Sequence, residues 1–330
     1  MMLKKEVVYS ILDLAVVSQG KSFRQTFDDS VTIAKLAERT GYKRYWLAEH
    51  HNMDAIGSSA TSILIGKIAE ETQHMRVGSG GIMLPNHSPL IIAEQFGTLG
   101  TLYPNRIDLG LGRAPGTDQA TASAIRSDFY EAAMQFPAEV QKIQDYFSVD
   151  NKHESVRANV AEGVDVPLYI LGSSTTSAYL AAEKGLPYAF ASHFSSAQLI
   201  DALKIYKTHF QPSATLTQPY TIAGISVIIA DTDEEAEFLS SSYYSRVIIG
   251  ILTGDRNPLE PPFEITDEFR NIIQHPSFQQ MSKYAFIGSK ETVKKKVKAF
   301  INQTDVDKLI SATHVFDVKD RVNQWSFLRK

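Results

Sequence analysis

Short apolar runs typical of buried strands alternate with longer segments whose apolar residues recur at helical spacing. In the segment that begins at Pro89, for example, Ile92, Phe96 and Leu99 repeat at i, i+4 and i+7, which predicts a helix with one buried face. The pattern predicts eight strands, at 7–17, 44–50, 75–84, 106–112, 167–171, 186–191, 220–230 and 309–316. Eight strands separated by helices favour a (β/α)8 (TIM) barrel, built as a single domain over residues 1–330, and an open doubly wound sheet is the alternative.

One segment interrupts this alternation. Positions 231–283 predict a helix, then a proline-rich stretch around Pro258, Pro261 and Pro262, and then a stretch that mixes polar and aromatic residues. This segment is far longer than the usual connection of a few residues. Two interpretations stay open, a lid or insertion over the mouth of the barrel and a surface addition that serves as a dimer contact.

Composition and charge remove several classes of function. The chain has 330 residues, of which 43% are hydrophobic, so it can bury a sizeable core. Its net charge of −4 offers no general attraction to nucleic acid or to an anionic membrane. The absence of cysteine excludes disulfides, zinc–thiolate sites, iron–sulfur clusters and thiol nucleophiles. No apolar run reaches the roughly 18 residues of a membrane span, and the N-terminus is too polar for a signal peptide, so we expect a cytoplasmic protein.

Polar residues gather where the predicted strands end, which is where barrel enzymes place their active sites. Four of the nine histidines fall at these ends, namely His50, His51, His87 and His193. Neighbouring residues of a strand point to opposite faces, so only one of His50 and His51 can face the barrel axis. A metal site would need ligands from other strands, and no His-x-His pair or carboxylate set supplies them. General acid/base chemistry or contact with a cofactor is favoured, and a structural histidine is the alternative.

A turn at positions 172–175, rich in serine and threonine, precedes a predicted helix. Free backbone amides and hydroxyls at a helix N-terminus favour a phosphate group. Arg113 follows the neighbouring predicted strand, among glycines that let a ligand approach the backbone. The alternatives are plain helix caps for the hydroxyl residues and an ion-pair partner for Arg113.

Three motifs in this order resemble the bacterial luciferase-like monooxygenase family. They are the segments 46–52 (WLAEHHN), 76–87 (RVGSGGIMLPNH) and 106–116 (RIDLGLGRAPG), and the Thr313-His314 ending of the last strand also fits. The resemblance covers nearly the whole chain. It implies a TIM barrel that uses reduced flavin mononucleotide (FMN) and molecular oxygen, through a flavin C4a-hydroperoxide, to oxidise a small organic substrate such as an aldehyde.

The same resemblance implies roles for individual residues. The histidine matching His50 lies near the flavin and takes part in catalysis. The implied cofactor-binding residues are Leu14, Gly80, Gly81, Arg113, Leu171, Ser173, Ser174 and Ser177. Among these, the arginine and the three serines hold the flavin phosphate, and the glycine pair often forms a non-proline cis peptide against the flavin ring. Family members are commonly dimers, so we expect a homodimer, and a separate flavin reductase is a possible partner.

Two departures from the luciferase pattern limit what the resemblance implies. Gly112 stands where luciferase catalytic subunits carry a cysteine, so light emission is not implied. Ser173 stands at a position that is acidic in luciferase. Three other functions stay open: a non-catalytic flavin-binding barrel, a deazaflavin-dependent reductase within the family, and a metal-dependent hydrolase.

Overall fold

The structure, a computed structural model, describes residues 8–254 and 256–327. Nine strands are found in this part of the chain. They are β1 (Val8–Asp13), β2 (Arg44–Leu47), β3 (Arg76–Met83), β4 (Ile107–Gly112), β5 (Leu168–Gly172), β6 (Tyr188–Phe190), β7 (Thr221–Ala230), β8 (Ala285–Ser289) and β9 (Lys308–Ala312).

Eight of these strands close into a parallel ring in the order β1-β2-β3-β4-β5-β6-β7-β9. The pairing of β6 with β7 and of β9 with β1 closes the ring, which confirms the predicted (β/α)8 barrel. The first half of β7 pairs with β9 at residues 222–226, and its second half pairs with β8 at residues 226–230. Strand β8 therefore lies outside the ring, on an extension of β7.

Strand β8 was not predicted, and three predicted strands extended three or more residues past their observed carboxyl ends. The β8 sequence is short and contains Gly288 at a φ of +146°, so it carries little strand signal of its own. The first, second and last ring strands end at Asp13, Leu47 and Ala312, before the predicted ends. At the first of these, the Asp13 carboxylate accepts a hydrogen bond of 2.8 Å from the Ala15 amide, and Ala15 has a φ of +49°, so the chain turns out of the sheet. Residue 7, where the predicted first strand began, lies outside the described residues.

Helices cover the outside of the ring. They are α1 (Phe23–Arg39), α2 (Thr61–Glu71), α3 (Pro89–Leu102), α4 (Gln119–Ile125), α5 (Phe129–Met134), α6 (Phe136–Phe147), α7 (Thr175–Glu183), α8 (Leu199–His209), α9 (Asp233–Thr253), α10 (Asp267–Ile273), α11 (Pro276–Met281), α12 (Lys290–Thr304) and α13 (Val318–Phe327). Among residues 8–254 and 256–327, no helix combines the length and the apolar character needed to cross a bilayer. Helix α1 begins at Phe23 because Ser22 and Gln25 form a capping box there.

The strands bury two apolar layers. Their outward side chains join the inner faces of the helices in one large cluster. A separate cluster fills the inside of the ring and includes Leu12, Trp46 and Tyr169. At the amino-terminal end of the ring, the buried Asp108 carboxylate accepts hydrogen bonds from Arg44 Nε at 2.9 Å, from Arg76 Nε at 2.7 Å and from Trp46 Nε1 at 3.0 Å. This end is closed by a paired charge cluster, so the opposite end is the one open to ligands.

Candidate active site

A cavity of about 530 Å³ lies at the carboxyl ends of the barrel strands. All of the residues predicted for the site line this cavity except Gly81. The predicted residues in the lining are Leu14, His50, Gly80, Arg113, Leu171, Ser173, Ser174 and Ser177. The structure brings these side chains to one place, although their roles stay predictions.

The wall formed by β3 carries no side chain at its centre. The peptide bond between Gly80 and Gly81 is cis, as the resemblance implied. A Cβ atom on Gly80 would come within 2.8 Å of the Leu12 side chain, and one on Gly81 would come within 2.7 Å of the Gly110 carbonyl oxygen. Packing against β4 therefore requires glycine at position 81, whereas a side chain at position 80 would force the Leu12 side chain to shift. Gly81 lies in the sheet and does not line the cavity.

His50 follows β2 and faces the cavity. Its Nδ1 lies 3.1 Å from the Gly116 carbonyl oxygen, which can only accept, so Nδ1 donates and Nε2 carries a free lone pair in the neutral ring. Within the described residues, Nε2 has no hydrogen-bond partner. Burial lowers the pKa of His50, the bond to Gly116 opposes this shift, and the positive charge of Arg246 adds to it. The imidazole is therefore neutral near pH 7.

His51 and His87, expected on the rim, turn away from the cavity and bind Glu49 instead. Each donates from Nε2 to the Glu49 carboxylate at 2.9 Å, and the Asn86 side-chain amide donates to it at 3.0 Å. Burial opposes ionisation of this carboxyl group, but the hydrogen bonds from both histidines lower the pKa of Glu49 to about 2. The alternation of side chains that places His50 toward the axis places Glu49 on the other face. In the described ranges, 8–254 and 256–327, no group of histidine, aspartate and glutamate side chains is arranged so that it could hold a metal ion.

The turn after β5 fits a phosphate group. Helix α7 begins at Thr175, and the hydroxyls of Ser173 and Ser174 have no partner within the part of the chain described. The Ser177 hydroxyl donates to the Ser174 carbonyl at 2.7 Å, which holds the turn closed. Arg113 is exposed across the same rim and forms no ion pair with any described residue. The unpartnered cation and hydroxyls at a helix N-terminus are the donors that a phosphate dianion accepts from.

Two further histidines line the cavity. His193 follows β6 and His314 follows β9, and the Nδ1 atom of each is buried without a partner among the described residues. Burial lowers the pKa of His193 to about 4. Burial, together with the positive charge of Arg246, lowers the pKa of His314 to about 3. Both rings are therefore neutral at the pH where His50 is neutral.

The 231–283 segment forms part of the cavity wall. Tyr243, Arg246 and Val247 on α9 line the cavity, and so does Met281 at the end of α11. The Tyr243 ring stacks on His314, with centroids 5.8 Å apart and an interplanar angle of 22°. These residues were missed by the sequence reasoning. One signal could have found Arg246, because it is the single charged residue within positions 238–253.

Contacts from the end of α9 onward tie the segment to the barrel. Arg256 donates from Nη1 to Asp118 at 2.9 Å, and Asp118 caps α4 on the opposite side of the cavity mouth. The Leu259 amide donates to the Val17 carbonyl at 2.8 Å, and the Leu259 side chain is buried. The segment thus lies across the mouth, which is the position that the lid interpretation requires.

Comparison with known proteins identifies the family. The sequence profile of the luciferase-like monooxygenase family matches residues 8–307. An Escherichia coli (strain K12) protein named luciferase-like monooxygenase is 44% identical over 324 residues, which cover 98% of this chain and 96% of that protein. The chain belongs to the luciferase-like monooxygenase family, which is flavin-dependent. This confirms the resemblance read from the three motifs.

Other similar proteins extend the comparison. The N-acetyl-S-alkylcysteine monooxygenase of Bacillus subtilis (strain 168) is 32% identical over 277 residues, which cover 80% of this chain and 82% of that protein. The crystal structure of apo-MsnO8 has a TM-score of 0.89 at 30% identity and covers 98% of both chains. An FMN complex of the oxygenating constituent of 3,6-diketocamphane monooxygenase, from Pseudomonas putida, has a TM-score of 0.72, covering 98% of this chain and 97% of that chain. At 16% identity this last likeness shows the fold alone.

The neutral histidines make the stability of the protein depend on pH. The unfolded chain protonates its histidines near pH 6.5, whereas the folded chain protonates His193 only near pH 4 and His314 only near pH 3. Their contribution is therefore complete above about pH 6.5 and is lost as the pH falls toward the folded values. We expect the melting temperature of the ligand-free protein to fall by roughly 2–4 °C per pH unit between about pH 6.5 and 5.

Differential scanning calorimetry across this pH range measures the effect. The variant H314N should show a smaller slope, because it lacks one of the two groups. The variant H74N, at an exposed position far from the cavity, is the matched control and should keep the slope of the wild type. Equal slopes for H314N and the wild type would contradict the assignment.

Proposed function

We propose that this protein is a monooxygenase that binds reduced FMN in the cavity and uses molecular oxygen to oxidise a small organic substrate there. One observation carries the proposal: an unpartnered Arg113 and free serine hydroxyls lie on the same cavity as a backbone wall at Gly80 and a neutral His50. A phosphate at one end, a flat ring along the glycine wall and a proton acceptor beside the ring match the parts of FMN. The donor set suits FMN better than a metal ion.

The residues divide the work between binding and proton transfer. Arg113, Ser173 and Ser174 would hold the phosphate, with Ser177 keeping their turn closed. Gly80, Leu14 and Leu171 would shape the ring pocket, and Gly81 would let β3 pack against β4 behind it. Reduced flavin, when bound, supplies the electrons that activate oxygen. The Nε2 atom of His50 would accept a proton and return it during turnover, because its lone pair is free and the ring is neutral.

Exclusion of water is the task we assign to the 231–283 segment. Oxygen activated by a flavin is lost as peroxide when water reaches it, so a dry site raises the yield of product. We propose that the segment closes over the cavity when cofactor and substrate are bound. A separate reductase would deliver the reduced flavin, and its need for a pyridine nucleotide favours a cytoplasmic location.

The test measures oxygen transfer directly. Purified protein is mixed with enzymatically reduced FMN, ¹⁸O₂ and either a long-chain aldehyde or N-acetyl-S-methylcysteine, the latter taken from the substrate class named for the B. subtilis relative. Incorporation of one ¹⁸O atom into either compound, detected by mass spectrometry, is the expected result. Tight flavin binding with peroxide as the sole product for every compound would favour the non-catalytic flavin-binding protein. Preference for reduced deazaflavin over FMN would favour the reductase.

We also propose a homodimer. Helices α2 and α3 pack beside each other and expose large apolar side chains, of which Ile63 is 72% and Leu102 is 63% exposed. Large apolar side chains exposed on two neighbouring helices favour a protein–protein contact there. Sedimentation velocity should give twice the chain mass for the wild type. The double variant I63D/L102D should sediment as a monomer, whereas I249D, on the exposed face of α9, should not dissociate the dimer.

A further inference from the structure

A second arginine faces the cavity and has no role in the function proposed above. Arg246 lies on α9 and lines the cavity together with Tyr243 and Val247. Within the described residues its guanidinium forms no hydrogen bond and no ion pair. Its surroundings are largely apolar, and burial lowers the pKa of the guanidinium. An unpartnered, half-buried cation is costly, so a site that keeps one is built to receive an anion.

The protein itself supplies no anion for Arg246. Among the described residues that line the cavity there is no aspartate and no glutamate. The titratable neighbours are His50, His193, His314 and Tyr243, and all four are neutral near pH 7, because burial lowers the pKa of each histidine and raises that of the tyrosine. The anion must therefore come from a ligand.

The flavin phosphate is not that anion, because the two arginines lie on opposite sides of the cavity. Arg113 follows β4 and lies beside the turn after β5. Arg246 lies on α9, next to Tyr243, which stacks on His314 after β9. In the ring of eight strands, β9 is the strand opposite β4. A phosphate held at the serine turn leaves Arg246 on the far side, where the substrate has to enter.

We propose that Arg246 binds a carboxylate of the substrate, so that the enzyme acts on small organic acids with an apolar body. This proposal rests on the function proposed above. The planar guanidinium matches a carboxylate with two parallel hydrogen bonds. The apolar body would lie against Met53, Ile56 and Met281, which line the same cavity. The carboxylate would thus fix which atom of the substrate faces the flavin.

The test compares two probes of equal shape, hexanoate and its neutral amide hexanamide. Isothermal titration calorimetry measures their binding to the protein with and without oxidised FMN. We expect the wild type to bind hexanoate at least about tenfold more tightly than hexanamide. In R246M, which keeps the length of the side chain and removes its charge, the two probes should bind equally. R246K should keep part of the preference, and R24A, which removes an exposed positive charge on α1, should keep all of it.

Each outcome decides the proposal. Equal binding of the two probes by the wild type, including the absence of detectable binding by both, would overturn it. So would a preference for hexanoate that survives in R246M. If R246M instead weakens the binding of reduced FMN and leaves the difference between the probes unchanged, Arg246 serves the flavin ring and not a substrate. Failure of the proposed function is separate: FMN would not bind, while the R246-dependent preference for the acid could still be measured on the FMN-free protein.

Discussion

Replacing His50 by alanine should lower kcat by about 10²–10⁴-fold and leave the dissociation constant of FMN nearly unchanged. The reason is that Nε2 is the free, unprotonated nitrogen of a neutral ring that Gly116 holds in place. The proposed phosphate site is the turn after β5, away from His50, so loss of the imidazole should remove proton transfer and spare anchoring. Steady-state turnover with saturating reduced FMN, together with a fluorescence titration of oxidised FMN, measures the two effects.

The variant H50N is the matched control for geometry. The asparagine amide nitrogen can replace Nδ1 as the donor to the Gly116 carbonyl, but it offers nothing in the place of Nε2. We therefore expect H50N to be as slow as H50A, with more peroxide released per substrate oxidised than in the wild type. Recovery of wild-type turnover in H50N would show that the histidine only holds the loop at Gly116.

The pH dependence of turnover provides a second test of the role of His50. Burial lowers the pKa of His50 below the ordinary value of about 6.5. The imidazole of the free enzyme is therefore unprotonated at neutral pH and can accept a proton. The acidic limb of the kcat/KM profile should therefore fall below about pH 6.5. This limb should be absent in H50N, which has no group to titrate at that position.

The barrel could be predicted from the sequence, and so could the part of the site formed by Arg113 and the turn at 172–175. The patterns that mark these features each lie within a short stretch of sequence. Apolar runs and helical periods mark the ring strands and their helices one by one, and the closed ring then follows from their number and order. The turn at 172–175 and Arg113 each follow a strand directly, so parallel strands bring them together. No information from distant parts of the chain was needed.

The remaining features depend on contacts between distant segments. Strand β8 is a strand only because β7 extends beyond the ring and offers it a partner at residues 226–230. The face of helix α9 that lines the cavity could not be predicted from the hydrophobic pattern. Ser240, Ser241 and Ser242 are buried on this helix alongside Tyr243, so polar residues do not mark its solvent-exposed side. His51 turns toward Glu49 as part of a hydrogen-bonded group that also contains Asn86 and His87, and these two residues follow β3 in the chain.

Arg113 should decide whether the protein distinguishes FMN from riboflavin. The two molecules differ in the phosphate alone, and Arg113 is the cation on the serine-turn side of the cavity. A charge-assisted hydrogen bond to a phosphate contributes about 1.5–3 kcal/mol, so R113A should weaken FMN binding by roughly 10–100-fold. Riboflavin should bind R113A and the wild type equally well.

A titration of both flavins against three variants isolates the phosphate contact. R113K keeps the charge but loses the planar fork, so it should fall between R113A and the wild type. R24A lowers the net charge by the same amount at an exposed position of α1 and should bind FMN like the wild type. The contact is electrostatic and exposed to solvent, so the difference in affinity between FMN and riboflavin should shrink at high salt in the wild type. In R113A this difference in affinity should be small at every salt concentration. If R113A loses affinity for riboflavin as much as for FMN, the arginine shapes the ring pocket, and the phosphate site has to be sought elsewhere on the rim.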